Sequence, residues 1–499
     1  MKLLTAEQIR QWDRYTIENE PIRSIDLMER ASRRWTQEFT QVVSPSHPIY
    51  VFAGQGNNGG DGLAIARMLI HAGYTVKVYQ LWLRDKCSPD NEINRKRLLR
   101  LTENAYSKIE AEEDIPEVPA NAVIIDALWG TGLNKPLEGL ATQLIERLNS
   151  YDSLKVSVDI PSGLPCEGQL LGPAFKTDWT ITFQVPKLSF LFPETGRFVG
   201  EFTIVDIGLL PEFLEQVETR YFYVTQQEAR NMLLLRERFA HKGTLGHALI
   251  IGGSIDKAGA VIMATIGALS SGCGLVTAHL PQSALSAFHG VVPSAMASIA
   301  GPSVVELPVN NPEKYNACGM GPGIGTDFPV RQFVKSFLEQ WRKPLVLDAD
   351  ALNIIAMEGW HGLIPDGSIL TPHPGEWRRL TGNTGTSFDD LKHIAEFTMT
   401  QNVIVVLKGA YTVIATPDGE FYFNSSGNEL LATGGSGDIL TGLIAGLLAR
   451  GYEQEHAAIL GVYLHGLAAD IARQFHSVES FTADQLAQYI DQARKILYQ

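Results

Sequence analysis

The sequence predicts two α/β domains joined head to tail, each built on a largely parallel sheet covered by helices. Short apolar runs typical of strands alternate with helical stretches along both halves, as expected for buried parallel strands. An acidic and aromatic segment at 211–225 breaks this alternation, and we interpret it as the linker. The length of 499 residues also exceeds what a single core normally holds. We therefore expect one domain over residues 1–215 and a second over residues 225–499.

The first half opens with two predicted helices and continues as the alternating series. Thr5 and Gln8 have the spacing of a capping box, and Ile9, Trp12 and Ile17 have helical spacing beyond it. A second helix is predicted over 24–40, and strands are predicted over 49–53, 75–81, 122–127, 155–160, 179–185 and 202–207.

The second half begins a new alternation after the linker. A strand running into a glycine turn is expected over 248–254, followed by a helix over 259–271. Residues 411–423 indicate a β-hairpin with Pro-Asp-Gly at its turn, and residues 437–496 are mostly helical. The other predicted strands are 275–280, 316–320, 344–348, 368–371 and 403–408.

Composition argues against several functional classes. A net charge of -14 disfavours nucleic acid and anionic membranes as partners. The four cysteines form no C-x-x-C pair, which fits reduced thiols rather than zinc ligands or disulfides. The start of the chain is a poor signal peptide, and the longest apolar stretch, 439–449, is too short to span a bilayer. We expect a soluble cytoplasmic protein with small-molecule partners that forms a homo-oligomer.

A glycine-rich segment follows the first predicted strand and precedes a helical stretch. Five of its nine residues, 54–62, are glycine, while Asn57, Asn58 and Asp61 add side-chain oxygens. A strand–loop–helix unit directs free backbone N–H groups and the helix dipole at one point, which suits phosphate. The segment fits neither the G-x-G-x-x-G fingerprint nor a P-loop. A tight turn would explain two of the glycines, so we interpret the segment as a phosphate-ligand site.

Two further strands end in an aspartate. Asp126 and Asp159 would lie, like Asp61, at the carboxyl ends of the strands, where open α/β sheets bind ligands. One such aspartate is usually a turn or cap residue, but three beside a glycine-rich segment favour a site. Several carboxylates beside a phosphate require a cation. Oxygens of Asn58, Asp126 and Ser162 suit a hard cation, which leaves one aspartate free for proton transfer.

Three motifs of the first half together resemble the N-terminal domain of the YjeF family, the NAD(P)H-hydrate epimerases. They occupy residues 57–62, 126–132 and 159–163. The resemblance covers about residues 1–215 and implies a Rossmann-like, three-layer α/β/α fold. Ala31 and Ser32 replace the family's usual Ala-Gly, a departure that we expect to touch helix packing rather than the site.

The same resemblance implies roles for individual residues. Asp159 would be the catalytic acid/base. Potassium would be held by Asn58, Asp126 and Ser162. The substrate would contact Asn57, Asn58, Gly59, Gly60, Asp61, Gly130, Thr131, Gly132, Leu133, Asn134, Lys135, Pro136 and Asp159.

A second glycine segment opens an apolar helix near the end of the chain. Gly434, Gly435 and Gly437 precede Asp438, which falls in the first turn of that helix. Asp438 could simply be an N-cap, a role that aspartate fills well. An N-cap does not require the glycines before it, so we favour an anion hole for a transferring phosphoryl group. Asp438 would then be the base that takes a hydroxyl proton.

Other segments of the second half could meet a ligand. A lysine and free amides follow a strand at 408–412, where nucleotide phosphates could lie, although a lone lysine is more often a surface residue. Segment 371–376 holds a histidine and a glutamate between prolines, or is merely a rigid loop before a capped helix. Asp350 could cap the next helix, and the glycines at 319–325 would allow close approach to the backbone.

Together these segments resemble the YjeF C-terminal domain, the ADP-dependent NAD(P)H-hydrate dehydratase of the ribokinase-like superfamily. The resemblance covers about residues 225–499 and implies a ribokinase-like α/β fold. Its motifs lie at 241–243, 252–254, 259–260, 321–323, 348–353, 371–376 and 435–438. Lys257 stands where many relatives have tyrosine, so ring stacking is not carried over to that point.

The second resemblance also implies ligands. ADP would be a co-substrate. Because phosphoryl transfer usually needs a divalent ion, we also expect magnesium near Glu376. The nucleotide would contact Lys408, Gly409, Ala410, Tyr411, Thr412 and Gly437. The hydrated nicotinamide would lie near Ala260, Gly323, His373 and Asp438, with Asp438 catalytic.

Both resemblances together predict a repair enzyme for NADH or NADPH carrying an added water, NADHX and NADPHX. The first domain would interconvert the R and S hydrates, and the second would dehydrate the S form while ADP becomes AMP and phosphate. One alternative is a ribokinase-like small-molecule kinase, which would not need the first domain. Another is a first domain that acts only as a binding module; intact Asp126 and Asp159 and the acidic chain count against it.

Overall fold

Two sheets organise the chain, which the computed structural model describes over residues 1–383 and 385–499. Contacts divide the described residues into two units. The N-terminal unit comprises Lys2–Thr219, and the C-terminal unit comprises Arg220–Gln499 together with Met1.

The N-terminal unit contains a seven-stranded parallel sheet in the order β3-β2-β1-β4-β5-β6-β7. Its elements are α1 (Ala6–Asn19), α2 (Ser24–Val42), β1 (Ile49–Ala53), α3 (Asn57–His71), β2 (Val76–Leu81), α4 (Pro89–Leu101), β3 (Tyr106–Ile109), β4 (Val123–Ala127), α5 (Leu140–Asn149), β5 (Leu154–Val158), β6 (Trp179–Phe183), α6 (Pro193–Gly196), β7 (Glu201–Val205) and α7 (Phe213–Gln216). The strand order reverses between β1 and β4, which is where open α/β sheets bind ligands.

Local sequence explains how these elements begin and pack. The predicted capping box at Thr5 is present, with Gln8 N donating to the Thr5 side chain at 3.2 Å. Every residue of β1 and β4 is buried, as expected for central strands covered on both faces. The fold-class prediction of parallel α/β architecture with a Rossmann-like strand order is confirmed for this unit.

The C-terminal unit contains a ten-stranded sheet in the order β11-β10-β9-β12-β13-β14-β15-β16-β17-β8. Its elements are β8 (Tyr221–Val224), α8 (Gln226–Asn231), β9 (His247–Ile251), α9 (Ala258–Ser270), β10 (Leu275–Leu280), α10 (Leu285–Val291), β11 (Met296–Ile299), β12 (Ala317–Met320), α11 (Phe328–Gln340), β13 (Leu345–Leu347), α12 (Ala349–Glu358), β14 (Ile369–Leu370), α13 (Pro374–Thr381), α14 (Ser387–Gln401), β15 (Ile404–Leu407), β16 (Val413–Ala415), β17 (Phe421–Asn424), α15 (Ser436–Ala449), α16 (Gln454–Ala472) and α17 (Ala483–Tyr498). The strands are parallel except for β16, which is antiparallel to both neighbours and forms the predicted hairpin with β17.

The linker prediction is wrong for residues 221–224. They form β8, which pairs in parallel with β17 at the edge of the sheet. Phe222 stacks on Tyr422 with ring centroids 5.1 Å apart, and Tyr221 contacts Phe421 at 5.6 Å. The aromatic run is therefore explained by packing across paired strands.

Helices α9 and α15 approach each other closely because glycine lines their contact. A Cβ built on Gly442 would lie 1.7 Å from Ala264 O, and one on Gly267 would lie 2.1 Å from Ile439 O. Any larger residue at either position would push the two backbones apart. This packing fixes the first turn of α15, which carries Asp438.

The described residues contain no helix both long and apolar enough to cross a membrane. The four cysteines are free thiols, two of them buried.

Candidate active sites

The glycine-rich segment of the N-terminal unit is mostly helix rather than loop. Helix α3 begins at Asn57, with Gly56 at its N-cap, so residues 57–62 form its first turns. The first amides of such a helix lack partners inside it and point at the carboxyl edge of the sheet. Free amides therefore lie at this edge of the sheet, as predicted. The helix that supplies them begins six residues earlier than the sequence indicated, at Asn57 rather than after Gly62.

Packing explains more of the five glycines than the sequence suggested. A Cβ on Gly54 would lie 2.0 Å from Leu128 O, and one on Gly59 would lie 2.0 Å from Gly54 O. A Cβ on Gly62 would lie 2.5 Å from the Ala127 side chain. Close packing of α3 and its entry loop therefore accounts for three of the five glycines, a reason separate from a tight turn.

A cavity of about 640 Å³ opens at the carboxyl ends of β1, β4 and β5. Gly59 and Gly60 are buried outside its lining. Its wall contains the other residues predicted to contact substrate, namely Asn57, Asn58, Asp61, Gly130, Thr131, Gly132, Leu133, Asn134, Lys135, Pro136 and Asp159.

Asp159 is held in the cavity wall by three donors to one oxygen. Its Oδ1 accepts from Lys187 Nζ at 2.6 Å, from Phe183 N at 3.0 Å and from Thr182 Oγ1 at 3.2 Å. Lys187 is fully buried and also donates to Val185 O at 3.1 Å. Asp159 has a φ of 68°, a left-handed conformation that few non-glycine residues adopt. Strain of this kind clusters at functional sites, where surrounding bonds enforce it.

Two further carboxyl groups line the same cavity, Asp61 on α3 and Asp13 on α1. Burial and the negative charges of Asp159 and Asp13 raise the pKa of Asp61 well above its usual value, against the Ser32 hydroxyl, which lowers it. Burial and then Asp159 raise the pKa of Asp13 to about 7, against the opposing charge of Lys187. Two of the carboxyl groups in the cavity wall thus have raised pKa values.

Ser32 belongs to this environment. It is fully buried on α2, and its Oγ lies 3.4 Å from Asp61 Oδ1 and 3.5 Å from Asp61 O. The expectation that the departure at Ala31 and Ser32 affects only helix packing is therefore wrong. A glycine at position 32 would remove a hydroxyl that faces a carboxyl group of the cavity.

Asp126 does not face the crevice, contrary to the prediction. It is fully buried and absent from the cavity wall. Its carboxyl group accepts from Ser162 Oγ at 2.5 Å, Ser162 N at 2.8 Å, Ser157 Oγ at 3.1 Å and Leu128 N at 3.2 Å. Burial raises the pKa of Asp126 to about 6, while these hydrogen bonds oppose the shift. The Asp126 carboxyl group thus connects the loop after β4, through Leu128, to the loop after β5, through Ser162.

The predicted cation ligands offer a fit in one specific respect. Asn58 Oδ1 is buried and has no hydrogen-bond partner among the described residues, while its Nδ2 donates to Val158 O at 2.7 Å. A buried amide oxygen without a partner is costly unless an ion or water satisfies it. Asp126 adds a buried carboxyl group and Ser162 a hydroxyl oxygen, which are donors that hard cations prefer. These donors suit a potassium ion.

In the C-terminal unit, Asp438 is the third residue of α15 and does not cap it. Gly435 is the N-cap residue, with a φ of 97°, and no side chain caps this helix. The N-cap interpretation of Asp438 is therefore wrong. The first amides of α15 remain without helical partners beside Asp438, as an anion hole requires.

Asp348, which is buried, forms an ion pair with the partly exposed Lys408 next to this helix start. Lys408 Nζ lies 2.8 Å from Asp348 Oδ1 and 3.9 Å from Glu376 Oε2. Thr441 Oγ1 donates to Asp348 Oδ2 at 2.6 Å, which ties the pair to α15. A Cβ on Gly437 would lie 3.3 Å from Lys408 Nζ, so the lysine faces the amides of the first turn.

The charges around Asp438 are mostly negative. Burial and then Asp348 raise the pKa of Asp438 to about 7, while Lys408 opposes the shift. Burial lowers the pKa of Lys408, but the charges of Asp348 and Glu376 outweigh it and raise the pKa above its usual value. Three other acidic residues, Asp348, Asp350 and Glu376, thus act on Asp438, and Lys408 opposes them.

His373 and Glu376 form the cap of α13, as the structural alternative for segment 371–376 predicted. His373 Nδ1 accepts from Gly375 N at 2.9 Å and Glu376 N at 3.2 Å, and Glu376 Oε2 accepts from His373 N at 2.8 Å. Because Nδ1 accepts, the neutral ring carries its proton on Nε2, which lies 3.5 Å from Glu376 Oε1. The cap orients the imidazole and leaves Nε2 outside the capping bonds.

Ala260 and Gly323, both predicted to lie near the hydrated nicotinamide, are packed against each other. A Cβ on Gly323, whose φ is 62°, would lie 2.8 Å from the Ala260 side chain. Lys257 in the preceding turn pairs with Asp350, with Nζ 3.1 Å from Oδ2. Asp350 Oδ2 also accepts from Gly325 N at 3.0 Å, so it ties two loops together instead of capping α12.

The segment predicted to contact the nucleotide, 408–412, is a turn after β15. Thr412 Oγ1 donates to Gly409 O at 3.1 Å and accepts from Gly409 N at 3.3 Å. Among the described residues, no group of three or more His, Cys, Asp and Glu is arranged to hold a metal.

Both halves of the chain match known families. The family model described as NAD(P)H-hydrate dehydratase matches residues 248–492, and that described as YjeF-related protein N-terminus matches residues 24–189. The bifunctional NAD(P)H-hydrate repair enzyme of Moorella thermoacetica is 35% identical, over 98% of this chain and 96% of that protein. The chain belongs to the family of bifunctional NAD(P)H-hydrate repair enzymes.

A second relative agrees with this assignment, and one solved structure is similar to part of the chain. The bifunctional NAD(P)H-hydrate repair enzyme of Thermofilum pendens is 33% identical, over 100% of this chain and 97% of that protein. The ADP/ATP-dependent NAD(P)H-hydrate dehydratase of Bacillus subtilis, crystallised with ATP and Mg²⁺, is 31% identical. It covers 55% of this chain and 98% of its own, with a TM-score of 0.48. The predicted resemblance and the prediction of a repair enzyme are both confirmed by the family, which also removes the kinase alternative.

Four residues in or beside the two candidate sites were not predicted. Asp13, Lys187, Thr441 and His465 were all missed, although His465 Nε2 lies 2.9 Å from Ser436 O at the start of α15. Lys187 follows β6 closely, so the strand-end rule that identified Asp159 could have found it. Nothing in the sequence distinguishes the other three from ordinary helix residues.

Proposed function

We propose that the N-terminal unit interconverts the R and S hydrates of NADH and NADPH and that the C-terminal unit dehydrates the S form. The observation that carries this proposal is the match to bifunctional repair enzymes over nearly the whole chain. Each unit also has its own set of polar residues at the carboxyl edge of its sheet. Two chemistries therefore have two separate sites.

Epimerisation requires the hydroxyl group to leave and return on the other face of the ring. Asp159 suits the role of base, because the donors on its Oδ1 stabilise negative charge there. The amides that begin α3 suit the substrate phosphates. Asn58, Asp126 and Ser162 would hold a potassium ion, which would offset the negative charge of those phosphates.

Dehydration is difficult because hydroxide is a poor leaving group. Transfer of a phosphoryl group from ADP to the hydroxyl makes a better leaving group and converts ADP to AMP. The carbon–oxygen bond then breaks with its electron pair on phosphate, the adjacent ring carbon loses a proton to water, and the carbon–carbon double bond of the reduced nicotinamide forms. Asp438 takes the hydroxyl proton, the first amides of α15 stabilise the transferring charge, and Lys408 neutralises the nucleotide. The surplus of carboxylates around Asp438 explains why Mg²⁺ would accompany ADP.

The cation assignment makes a direct prediction. Epimerisation in potassium chloride is expected to exceed that in tetramethylammonium chloride, because the larger ion does not fit the oxygens around Asn58 and Asp126. Asp126→Asn should lose this difference together with most epimerisation, while dehydration of the S-hydrate persists. The ratio of R to S hydrate, followed in both salts, measures the effect. Equal rates of the wild-type enzyme in the two salts would contradict the assignment.

The dehydratase is expected to gain activity as pH rises through about 7. Asp438 must be ionised to accept a proton, and burial with Asp348 raises its pKa to about 7. Asp438 is therefore mostly protonated below that pH and can accept a proton above it. A pH profile of kcat with S-hydrate and ADP checks the sign. A profile flat from about pH 6 to about pH 8 would argue against Asp438 as the titrating base.

Resolved hydrates test the division of labour. The S-hydrate with ADP should return the absorbance of the reduced nicotinamide immediately, whereas the R-hydrate should do so only after a lag. Omitting ADP should stop recovery from both but leave R and S interconverting. Failure of the S-hydrate to recover with ADP would overturn the dehydratase proposal.

A further inference from the structure

Asp13 lies in the wall of the epimerase cavity, together with Asp159 and Lys187. It belongs to α1, and residues before and after Asp13 in this helix bond to the backbone of Leu210. Trp12 Nε1 donates to Leu210 O at 2.7 Å, and Thr16 Oγ1 accepts from Leu210 N at 3.1 Å. The helix therefore presents the Asp13 carboxyl group to the cavity in a defined position.

Asp13 and Asp159 have opposite surroundings. Three donors, including the Lys187 ammonium, bind Asp159 Oδ1. The Asp13 carboxyl group accepts no hydrogen bond from the described residues in the geometry observed. The charged groups that face it are Asp159, Asp61 and Lys187. Carboxyl groups whose surroundings differ in this way commonly divide into an acid and a base.

We propose that Asp13 is a second catalytic residue of the epimerase, the acid that protonates the departing hydroxyl group. The inference rests on the proposed epimerase function. A hydroxyl group that moves from one face of a ring to the other needs an acid and a base. Asp13 and Asp159 would supply this pair.

The step balances as follows. Asp13 gives its proton to the hydroxyl group, the carbon–oxygen bond breaks with its electron pair on oxygen, and water leaves. The ring nitrogen shares its lone pair with the carbon, which becomes planar. Water then adds from the other face, its electron pair forms the new carbon–oxygen bond, and Asp159 takes its proton. That proton returns from Asp159 to Asp13 through water in the cavity, and no other reactant is needed.

Asp61 is the competing acid, and its surroundings fit the role less well. The Ser32 hydroxyl contacts Asp61 Oδ1 at 3.4 Å, so this carboxyl group is partly engaged. The pKa of Asp61 is raised well above its usual value, whereas that of Asp13 is raised to about 7. A group that gives and regains a proton each turnover works best with a pKa near the working pH.

Asp13→Asn tests the proposal in the full-length enzyme. With resolved S- or R-hydrate of NADH and no ADP, kcat for epimerisation should fall by about 10²–10⁴-fold, with KM little changed. Glu18→Gln is the matched control, since Glu18 is an exposed carboxylate of the same helix. Asp13→Glu should restore part of the activity. Dehydration of the S-hydrate with ADP by Asp13→Asn should match the wild type, which shows that the chain folds.

The pH profile separates proton donation from a structural role. Burial and Asp159 raise the pKa of Asp13 to about 7, so wild-type epimerisation should decline as pH rises through that value and Asp13→Asn should lack the decline. Wild-type epimerisation by Asp13→Asn, or a slow variant that keeps the decline, would overturn the proposal. If the wild-type enzyme itself does not interconvert the hydrates, the proposed epimerase function fails instead.

Discussion

Asp438→Asn is expected to abolish dehydration of the S-hydrate while ADP still binds. The amide keeps the shape of the side chain and the anion hole of α15, because Asp438 does not cap that helix. It cannot accept the hydroxyl proton, so kcat should fall by about 10²–10⁴-fold. Asp484→Asn is the matched control, an aspartate in the first turn of α17 that is exposed. Absorbance of the reduced nicotinamide gives the rate, and calorimetry gives the affinity for ADP.

A nucleotide analogue tests the same mechanism from the side of the donor. A non-hydrolysable ADP analogue should bind at Lys408 but support no dehydration, because no phosphoryl group can reach the hydroxyl. Full activity with the analogue would mean that the nucleotide is only an effector. Asp438 would then lose its assigned role, since the hydroxyl would leave without phosphorylation.

Asp159→Ala is expected to lose epimerisation by about 10²–10⁴-fold and to dehydrate the S-hydrate normally. The change removes the carboxylate that Lys187 and Thr182 hold in the cavity, in a unit separate from the dehydratase. With a mixture of hydrates and ADP, recovery should stop once the S form is consumed. Asp206→Ala is the control, because Asp206 also follows a strand but lies outside the cavity wall. Complete consumption at the wild-type rate would refute the role of Asp159.

Much of the fold followed from the sequence because central parallel strands are apolar on both faces. Predicted strands 49–53 and 275–280 agree with β1 and β10 to the residue. The edge strands β3 and β11 were not predicted, because an edge strand is half exposed and mixes polar with apolar residues. The strand at 221–224 escapes prediction for a different reason, because the strand that it pairs with lies about 200 residues away in the sequence.

Site residues were predictable where their position depends only on the strand that precedes them in the sequence. Asp61 and Asp159 come to one cavity because Asp61 lies in the first turns of α3, which follows β1, and Asp159 directly follows β5, so both lie at the carboxyl edge of the sheet. The burial of each aspartate was not predictable. Asp126 has the same strand-end pattern as Asp159 but is fully buried and lies outside the cavity wall. Asp13 was missed because its own helix shows only ordinary amphipathic spacing, and its position depends on the docking of α1 near Leu210.

A single experiment tests whether two activities reside in this chain. An equal mixture of R- and S-hydrates of NADH is incubated with enzyme, ADP and Mg²⁺, while absorbance of the reduced nicotinamide, AMP and phosphate are followed together. Complete recovery of NADH, with one AMP and one phosphate for each NADH restored, is the expected result. Recovery that stops at the S fraction would contradict the epimerase assignment, and complete recovery without consumption of ADP would contradict the phosphoryl-transfer mechanism.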